Sequence, residues 1–219
     1  CIVWSYNIGF NTDVVGDDAP QSWADVFDVA KYPGKRALRD RVYPMMEIAL
    51  MADGVAAEDL YPLDVDRAFA KLDTIKDDVI WYSSNSVSQQ LFVDGEVGVG
   101  VILNGRAFDV NQKGAPVDIS WNQNIRSIDY LVIPKGAPNA EVAQHFMTAT
   151  ADADNQALMA NTLAYAPVNP AAFADVKPEV LPWLATSEEN QAKGFLIRAD
   201  YWRDNLAELT ERWNEWKLS

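Results

Sequence analysis

Asp94-Gly-Glu-Val-Gly-Val-Gly-Val-Ile-Leu-Asn-Gly-Arg-Ala-Phe-Asp109 is the stretch that decides the fold. Its short apolar run, 97–103, predicts a buried strand, because it is rich in valine and is bounded by glycine and asparagine. Asn104-Gly105 predicts a turn, and a helix predicted at 107–112 then starts directly after Arg106. Carboxyl ends of parallel strands and helix starts both favour bound anions. The stretch therefore predicts that Arg106 binds an anion.

The rest of the chain alternates short strand-like runs with amphipathic helical runs, which predicts an α/β fold with largely parallel sheets. Ser22 is predicted to cap a helix over 23–31, and Asp64 a helix with one buried face that starts at Val65. Strands are predicted at 2–6, 37–38, 79–82, 97–103, 117–121 and 130–133.

After Pro134 the sequence predicts helices at 140–151, 154–161 and 199–218, with no strand among them. A helical coat of this kind is unusual for an independent domain. We therefore expect these helices to cover a sheet that the chain contains only in part.

Composition excludes several classes of protein. The chain has 219 residues, 49% of them apolar, which is enough for a substantial core. The formal net charge of −14 argues against non-specific nucleic-acid binding. The single cysteine, Cys1, has no partner for an internal disulfide. The sequence shows no membrane-spanning run and no signal peptide, and it starts within an apparent strand, so we expect a natural N-terminus further upstream.

Asp129 is the second candidate binding residue. It stands between Ile128 and Tyr130 at the head of an apolar run, where a carboxylate needs a cation or solvent. A ligand ammonium is one such cation, and a strand-end cap or an internal salt bridge is the alternative. For Arg106 the alternative is a surface ion pair with Asp109. If both residues bind ligand, the ligand carries both charges.

The other candidates are polar groups and aromatic rings at strand ends and loops. Tyr165 lies in an irregular segment that is stiffened by proline, and such loops often hold binding groups. Ser84 and Asn85 follow an apolar strand and either donate to a ligand or simply cap the next helix. Trp202 is one of several rings that either line a cleft or belong to the hydrophobic core.

Signatures of catalysis, nucleotides and metals are scarce. His145, the only histidine, lies within a helical run with no supporting catalytic motif. The glycines between positions 95 and 105 have the wrong spacing for a phosphate-binding loop. One histidine, one cysteine and no acids at ligand spacing predict no metal site. We expect no cofactor.

Taken in order, several motifs resemble bacterial ABC-transporter solute-binding proteins of the spermidine/putrescine-binding type. The resemblance covers essentially the whole chain and rests on the motifs Tyr6-Asn-Ile-Gly-Phe-Asn11, Ser22-Trp-Ala-Asp-Val-Phe27, Tyr32-Pro-Gly-Lys35, Asp94-Gly-Glu-Val-Gly-Val-Gly100, Asn104-Gly-Arg-Ala-Phe108, Tyr130-Leu-Val-Ile-Pro134 and Tyr165-Ala-Pro-Val-Asn169.

The resemblance implies a type II periplasmic-binding-protein fold of two α/β lobes, which close on a small solute in the periplasm without chemical conversion. It implies a membrane ABC permease as partner and a monomeric protein. It also implies a first hinge strand at 1–7, a second lobe at 8–126, a return hinge strand at 127–134, and the C-terminal helical part of the first lobe at 135–219. The N-terminal part of that lobe and the signal peptide are then absent from this chain.

The resemblance also bears on the ligand. Polyamine binders of this type place acids where this chain has Arg41 and Pro44, and a tryptophan where it has Leu103. Arg106 resembles the arginine with which relatives hold the carboxylate of 4-aminobutyrate, while Asp129 and Tyr165 match ligand-binding positions of the family. An arginine beside a polycation is also unfavourable by Coulomb's law. We therefore expect a zwitterionic ω-amino acid, with putrescine or spermidine as the alternative.

Two other classes stay open at this point. A hydrolase or transferase on a similar fold would need a nucleophile and a base within hydrogen-bond reach, with His145 as the available base. A degenerate lobe that serves only as an interaction module would need no ligand site.

Overall fold

The computed structural model describes residues 1–218. A mixed sheet of seven strands runs through it, in the order β3-β2-β4-β1-β5-β7, with β6 paired to β1. The strands are β1 (Ile2–Asn11), β2 (Arg36–Arg39), β3 (Val79–Tyr82), β4 (Val99–Leu103), β5 (Val117–Asp129), β6 (Ala166–Pro167) and β7 (Gly194–Leu196). The α/β class is confirmed.

Ten α-helices accompany the sheet over residues 1–218. They are α1 (Thr12–Val15), α2 (Trp23–Phe27), α3 (Val42–Ala52), α4 (Val65–Asp73), α5 (Asn85–Val93), α6 (Asn104–Gln112), α7 (Ala140–Ala151), α8 (Ala153–Leu163), α9 (Glu188–Ala192) and α10 (Ala199–Leu218). Short 3-10 turns lie at Ala57–Asp59, Lys76–Asp78, Pro170–Asp175 and Leu181–Trp183.

The expectation of largely parallel sheets is wrong for the centre of the sheet. Strand β2 is parallel to β3 and β4, and β5 is parallel to β7. Strand β1, however, is antiparallel to β4, β5 and β6. The carboxyl ends of β4 and β5 therefore both lie beside the first residues of β1, which is where the candidate residues fall.

The predicted strand at 130–133 is also absent. Strand β5 ends at Asp129, which pairs with Ile2, the first residue of β1, so no neighbouring strand is available to extend the ladder. Tyr130 and Val132 are accordingly 71% and 79% exposed. Both β1 and β5 continue as strands across the predicted domain boundaries at 7 and 126, although their pairing shifts register between Tyr6 and Ile8. The division into lobes stays a prediction.

The caps predicted at Ser22 and Asp64 are confirmed. Ser22 and Asp25 form a reciprocal capping box, and the Asp64 side chain accepts from the backbone N–H of Arg67. Helix α2 nevertheless ends at Phe27, short of the predicted residue 31. The Asp28 carboxylate accepts the backbone N–H groups of Ala30 and Lys31, and this local turn competes with the helix.

Helix α10 differs from expectation in what it covers. Trp213 and Trp216 stack with Phe69 and Trp81, so α10 packs on α4 and β3 of this same chain. Trp213 Nε1 also donates to Asp40 Oδ1 at 3.1 Å. Helix α7 fits the expectation better, because none of its residues is buried by residues 1–218.

Candidate functional site

The candidate site lies where three strands meet beside the start of β1. On one edge of β1, Tyr6 pairs with Leu103, the last residue of β4, and Val3 pairs with Ala166 of β6. On the other edge, Ile2 pairs with Asp129 at the end of β5. Strands β4 and β6 thus follow one another along one side of β1. This arrangement brings the segments that carry Arg106 and Tyr165 together, with Asp129 across the strand.

Arg106 and Tyr165 are in direct proximity because Gly105 has no side chain. An ideal Cβ at position 105 would lie 2.6 Å from Tyr165 Cε1, so the ring rests on the glycine backbone. Burial raises the pKa of the Tyr165 hydroxyl, the adjacent Arg106 guanidinium lowers it through charge and hydrogen bonding, and Asp129 raises it. The two predicted charges therefore act on the same hydroxyl.

Arg106 is an exposed cation with no carboxylate within ion-pair distance among residues 1–218. The alternative interpretation, an ion pair with Asp109, is not what the structure shows. Asp109 instead pairs with Lys113 at 2.7 Å and accepts from Gln89 Nε2 at 2.8 Å. The Arg106 guanidinium is left available to a ligand.

Asp129 is an exposed carboxylate held by a single indole. Its Oδ1 accepts from Trp4 Nε1 at 2.9 Å, and within the described part of the chain no lysine or arginine forms an ion pair with it. Asp129 also borders a hollow of about 510 Å³ whose walls include Leu131, Phe146 and Met159. The internal salt bridge considered as the alternative does not form, and the carboxylate is available to another partner.

Asn104 fixes the relative position of these segments. Its Oδ1 accepts the backbone N–H of Ser5 at 3.0 Å, and its Nδ2 donates to the carbonyls of Ala164 and Trp183 at 2.8 and 3.0 Å. The residue is fully buried. The sequence predicted only a turn here, and nothing local could reveal partners 60 to 99 residues away. Asn104 therefore holds the end of β4 against both β1 and the Tyr165 segment.

Aromatic rings line the site from Asp129 outward. Trp4 stacks edge-on against Tyr6 at 4.9 Å, Tyr6 against Tyr43 at 6.0 Å, and Tyr43 against Trp202 at 5.3 Å. Tyr43 donates to Ser127 Oγ at 3.1 Å. Trp4 and Tyr43 were missed as candidates, although the two-residue spacing of Trp4 and Tyr6 on one strand predicts a shared face. Rings of this kind suit an ammonium ion beside a carboxylate.

Trp202 lies behind this wall. It is 4% exposed, and its Nε1 donates to Glu47 Oε1 at 2.6 Å. Tyr61 donates to the same oxygen at 2.6 Å. Because its indole N–H is used inside the protein, Trp202 supports Tyr43 and is not proposed further as a ligand contact. Burial raises the pKa of Glu47 to about 7, and its two hydrogen bonds oppose that shift.

Ser84 and Asn85 lie at the start of α5. Ser84 Oγ accepts the backbone N–H of Val87, which is the capping role given as the alternative. Asn85 Oδ1 accepts from Arg39 Nη1 at 2.8 Å. Asn85 therefore connects to a further cation at the carboxyl edge of β2, while its contact with a ligand stays a prediction.

The arrangement is suited to binding a charged solute. His145 lies on the exposed surface of α7. The described part of the chain holds no group of three or more His, Cys, Asp or Glu side chains placed to bind a metal ion. No helix between residues 1 and 218 combines the length and apolar content that crossing a membrane requires. Within residues 1–218, Arg106 and Asp129 are a cation and an anion without ion pairs, and both act on the Tyr165 hydroxyl.

Comparison with known proteins gives a consistent family. Residues 1–192 match the model of the family described as bacterial extracellular solute-binding protein. The chain is 33% identical over 219 residues to the gamma-aminobutyric acid-binding protein of Pseudomonas aeruginosa, which covers 98% of this chain. It is 31% identical over 175 residues to the spermidine/putrescine-binding periplasmic protein of Escherichia coli, which covers 79% of this chain. The chain spans 62% and 50% of the length of these two proteins.

Solved structures of binding proteins also resemble this chain. The structure of the Atu4243 GABA receptor superposes with a TM-score of 0.91 at 42% identity, over 99% of this chain and 67% of that one. The binding protein AgtB of A. tumefaciens R10, in complex with agropinic acid, gives 0.90 at 32% identity, over 100% and 68%. These similarities confirm the type II periplasmic-binding-protein fold that the sequence motifs implied.

Proposed function

The chain belongs to the family of bacterial extracellular solute-binding proteins, and from this membership we propose that it captures a small amine-bearing solute for an ABC importer. The solute that we propose is a zwitterionic ω-amino acid such as 4-aminobutyrate. Arg106 holds its carboxylate, Asp129 holds its ammonium, and Tyr165 lies between them. The protein performs no chemical conversion of the solute.

The observation that carries this proposal is the pair of unneutralised charges around one hydroxyl. Arg106 and Asp129 both act on the Tyr165 hydroxyl, and neither forms an ion pair within residues 1–218. Both side chains are exposed and neither is neutralised by the protein, so each can form a charge-assisted hydrogen bond with a ligand. A ligand with opposite charges at its two ends satisfies both, and Trp4 adds an aromatic face beside the ammonium.

A polyamine is the second candidate, because Asp129 beside Trp4 suits an amine of either kind and the E. coli relative is named for spermidine and putrescine. The second amine of a polyamine would then approach Arg106, where like charges repel. The gamma-aminobutyric acid-binding relative also covers more of the chain. We therefore favour the ω-amino acid.

The family further supports a mode of action, which we include in the proposal. The protein works as a monomer in the periplasm, where solute contacts from two lobes stabilise a closed form that a membrane permease recognises. The hinge strands that we propose are β1 and β5, since both border the site.

Calorimetric titration with 4-aminobutyrate and putrescine tests the ligand. The two compounds share a four-carbon spacing and differ in whether the second end is acidic. We expect tighter binding of 4-aminobutyrate and a loss of about 10- to 100-fold in Arg106→Ala, from the loss of a charge-assisted hydrogen bond. Arg212→Ala is the matched control, because Arg212 is engaged with Asp66 at 2.5 Å.

Two results would count against the proposal. Unchanged affinity of Arg106→Ala for 4-aminobutyrate would remove the carboxylate clamp. Tighter binding of putrescine than of 4-aminobutyrate, with putrescine affinity rising in Arg106→Ala, would establish the polyamine alternative.

A further inference from the structure

Arg39 is a second cation at the carboxyl edge of the sheet, at the end of β2. Its Nη1 donates to Asn85 Oδ1 at 2.8 Å, and its Nε is buried without a hydrogen-bond partner. Within residues 1–218, no carboxylate lies within ion-pair distance of it. The acid next to it in sequence, Asp40, is directed to α10, where it pairs with Lys217 at 3.4 Å and accepts from Trp213. Arg39 is therefore a cation with spare hydrogen-bonding capacity.

Arg36, at the other end of β2, shows what a purely structural arginine looks like in this chain. It is fully buried, and it donates to the carbonyls of Val26 at 3.0 Å and Tyr32 at 2.9 Å, as well as to those of Asp28 and Gly34. All its donor nitrogens are used. Arg39 has one protein hydrogen bond where Arg36 has four, so its presence is not explained by internal contacts of the same kind.

The position of Arg39 connects it to the proposed site. Its Cζ lies 5.6 Å from the centroid of the Tyr6 ring, and Tyr6 stacks on Trp4, which holds Asp129. Burial raises the pKa of Tyr43, Asp129 adds to that shift, and Arg39 opposes it. Asp129 thus acts on one tyrosine hydroxyl together with Arg106 and on another together with Arg39.

We infer that Arg39 is a second anion-binding residue of the site, and that the preferred solute class is an amine carrying two carboxylates. This inference rests on the proposed function. Arg106, Arg39 and Asp129 together carry a net charge of one positive unit, and an amino dicarboxylate carries one negative unit. 4-Aminobutyrate leaves Arg39 without a counterion, whereas a second carboxylate near the amine meets its guanidinium. Arginine is suited to this because its planar group binds carboxylates through two parallel hydrogen bonds.

L-Glutamate and 4-aminobutyrate are the matched probes, because glutamate is 4-aminobutyrate with one extra carboxylate on the carbon that bears the amine. We expect the 219-residue chain to bind glutamate about tenfold more tightly in calorimetric titration, from one added charge-assisted contact. Arg39→Gln should remove this preference and change 4-aminobutyrate affinity less than about threefold. Arg212→Gln, with its partner on α4, is the control and should change neither affinity.

Arg39→Lys keeps the positive charge but lacks the planar guanidinium, and it should retain part of the preference for glutamate over 4-aminobutyrate. This variant gives a second test if Arg39→Gln disturbs the fold. Glutamate binding no more tightly than 4-aminobutyrate, or an unchanged ratio of the two affinities in both Arg39 variants, would overturn the inference. Such a result leaves the proposed function intact as long as 4-aminobutyrate binds and depends on Arg106. Failure of both ligands to bind would remove the proposed function and the inference together.

Discussion

Gly105→Ala is the perturbation that tests most sharply how the site is assembled. The added Cβ would lie 2.5 Å from the carbonyl oxygen of Leu163, and 2.6 and 2.7 Å from Cε1 and Cζ of Tyr165. Unbonded carbon atoms ordinarily approach to about 3.5–4.0 Å, so the ring or α6 must move by about 1 Å. The Leu163 oxygen belongs to the backbone and cannot rotate away. Tyr165 and Arg106 must therefore separate.

We expect two measurable effects of Gly105→Ala. The free energy of unfolding, from urea denaturation followed by circular dichroism, should fall by about 1–3 kcal/mol, which is the usual cost of overpacking. The affinity for the ω-amino acid should fall by about tenfold, as expected when one charge-assisted contact is lost.

Gly98→Ala is the matched control for this variant. Its Cβ would lie 2.8 Å from Cγ1 of Val14, a side chain that is 51% exposed and free to rotate. We expect a small loss of stability and unchanged affinity. Wild-type affinity in Gly105→Ala, with a normal unfolding curve, would refute the argument that the close approach of Tyr165 to Gly105 sets the geometry of the site.

Three further predictions concern the groups around the site. Asn104→Ala should lower the free energy of unfolding by about 3 kcal/mol, because it removes the hydrogen bonds of two buried backbone groups and of the half-buried Trp183 carbonyl, and a loss below about 1 kcal/mol would contradict that role. Glu47 has a folded-state pKa of about 7, above its unfolded value of 4.5, so its proton stabilises the fold at low pH. The free energy of unfolding should therefore fall by about 3 kcal/mol between pH 4.5 and 7. In urea unfolding, Glu47→Gln should show a smaller change of stability with pH, and an equal change would contradict this role. Trp4→Phe removes the hydrogen bond to Asp129 and should weaken binding of amines several-fold, whereas carboxylates without an amine should bind as before in the same titration.

Local signals made part of the fold predictable. The caps at Ser22 and Asp64 need only residues three positions away, so the sequence itself contains the interaction. Helix α7 was predicted with its observed bounds for a similar reason, since its pattern is long and uninterrupted. Helix α3 was missed, because its residues form an almost continuous apolar run with Pro44 near the start, which hides the helical period.

Strand pairing could not be predicted in the same way. Strands β6 and β7 have two and three residues, too few for a period of two to be visible. The pairing of β1 with both β4 and β5 sets the mixed sheet, and it depends on contacts between residues far apart in sequence. For the same reason the prediction ended this strand at residue 121 and placed a separate strand at 130–133, beyond the observed end of β5 at Asp129.

The candidate site was likewise predictable only where the signal was local. Arg106 and Asp129 were found because an isolated charge beside an apolar strand is unusual in any context. Their proximity to one tyrosine hydroxyl required the order of β4 and β6 along β1. Trp4 and Asn104 were missed because their partners, Asp129 and the Ala164 carbonyl, are 125 and 60 residues away.

The most direct test of the central claim separates the two ends of the ligand. Arg106→Gln and Asp129→Asn each remove a charge and keep a polar amide. Asp129→Asn also keeps the size of the side chain, and its amide oxygen can still accept the indole N–H of Trp4. Butyrate carries only the acidic end of 4-aminobutyrate, and n-butylamine carries only the amine. NMR titration of the two variants with these two compounds should show that Arg106→Gln weakens butyrate alone and that Asp129→Asn weakens butylamine alone. If both substitutions weaken the same half-ligand, or neither affects its own, the two charges do not clamp opposite ends of one solute.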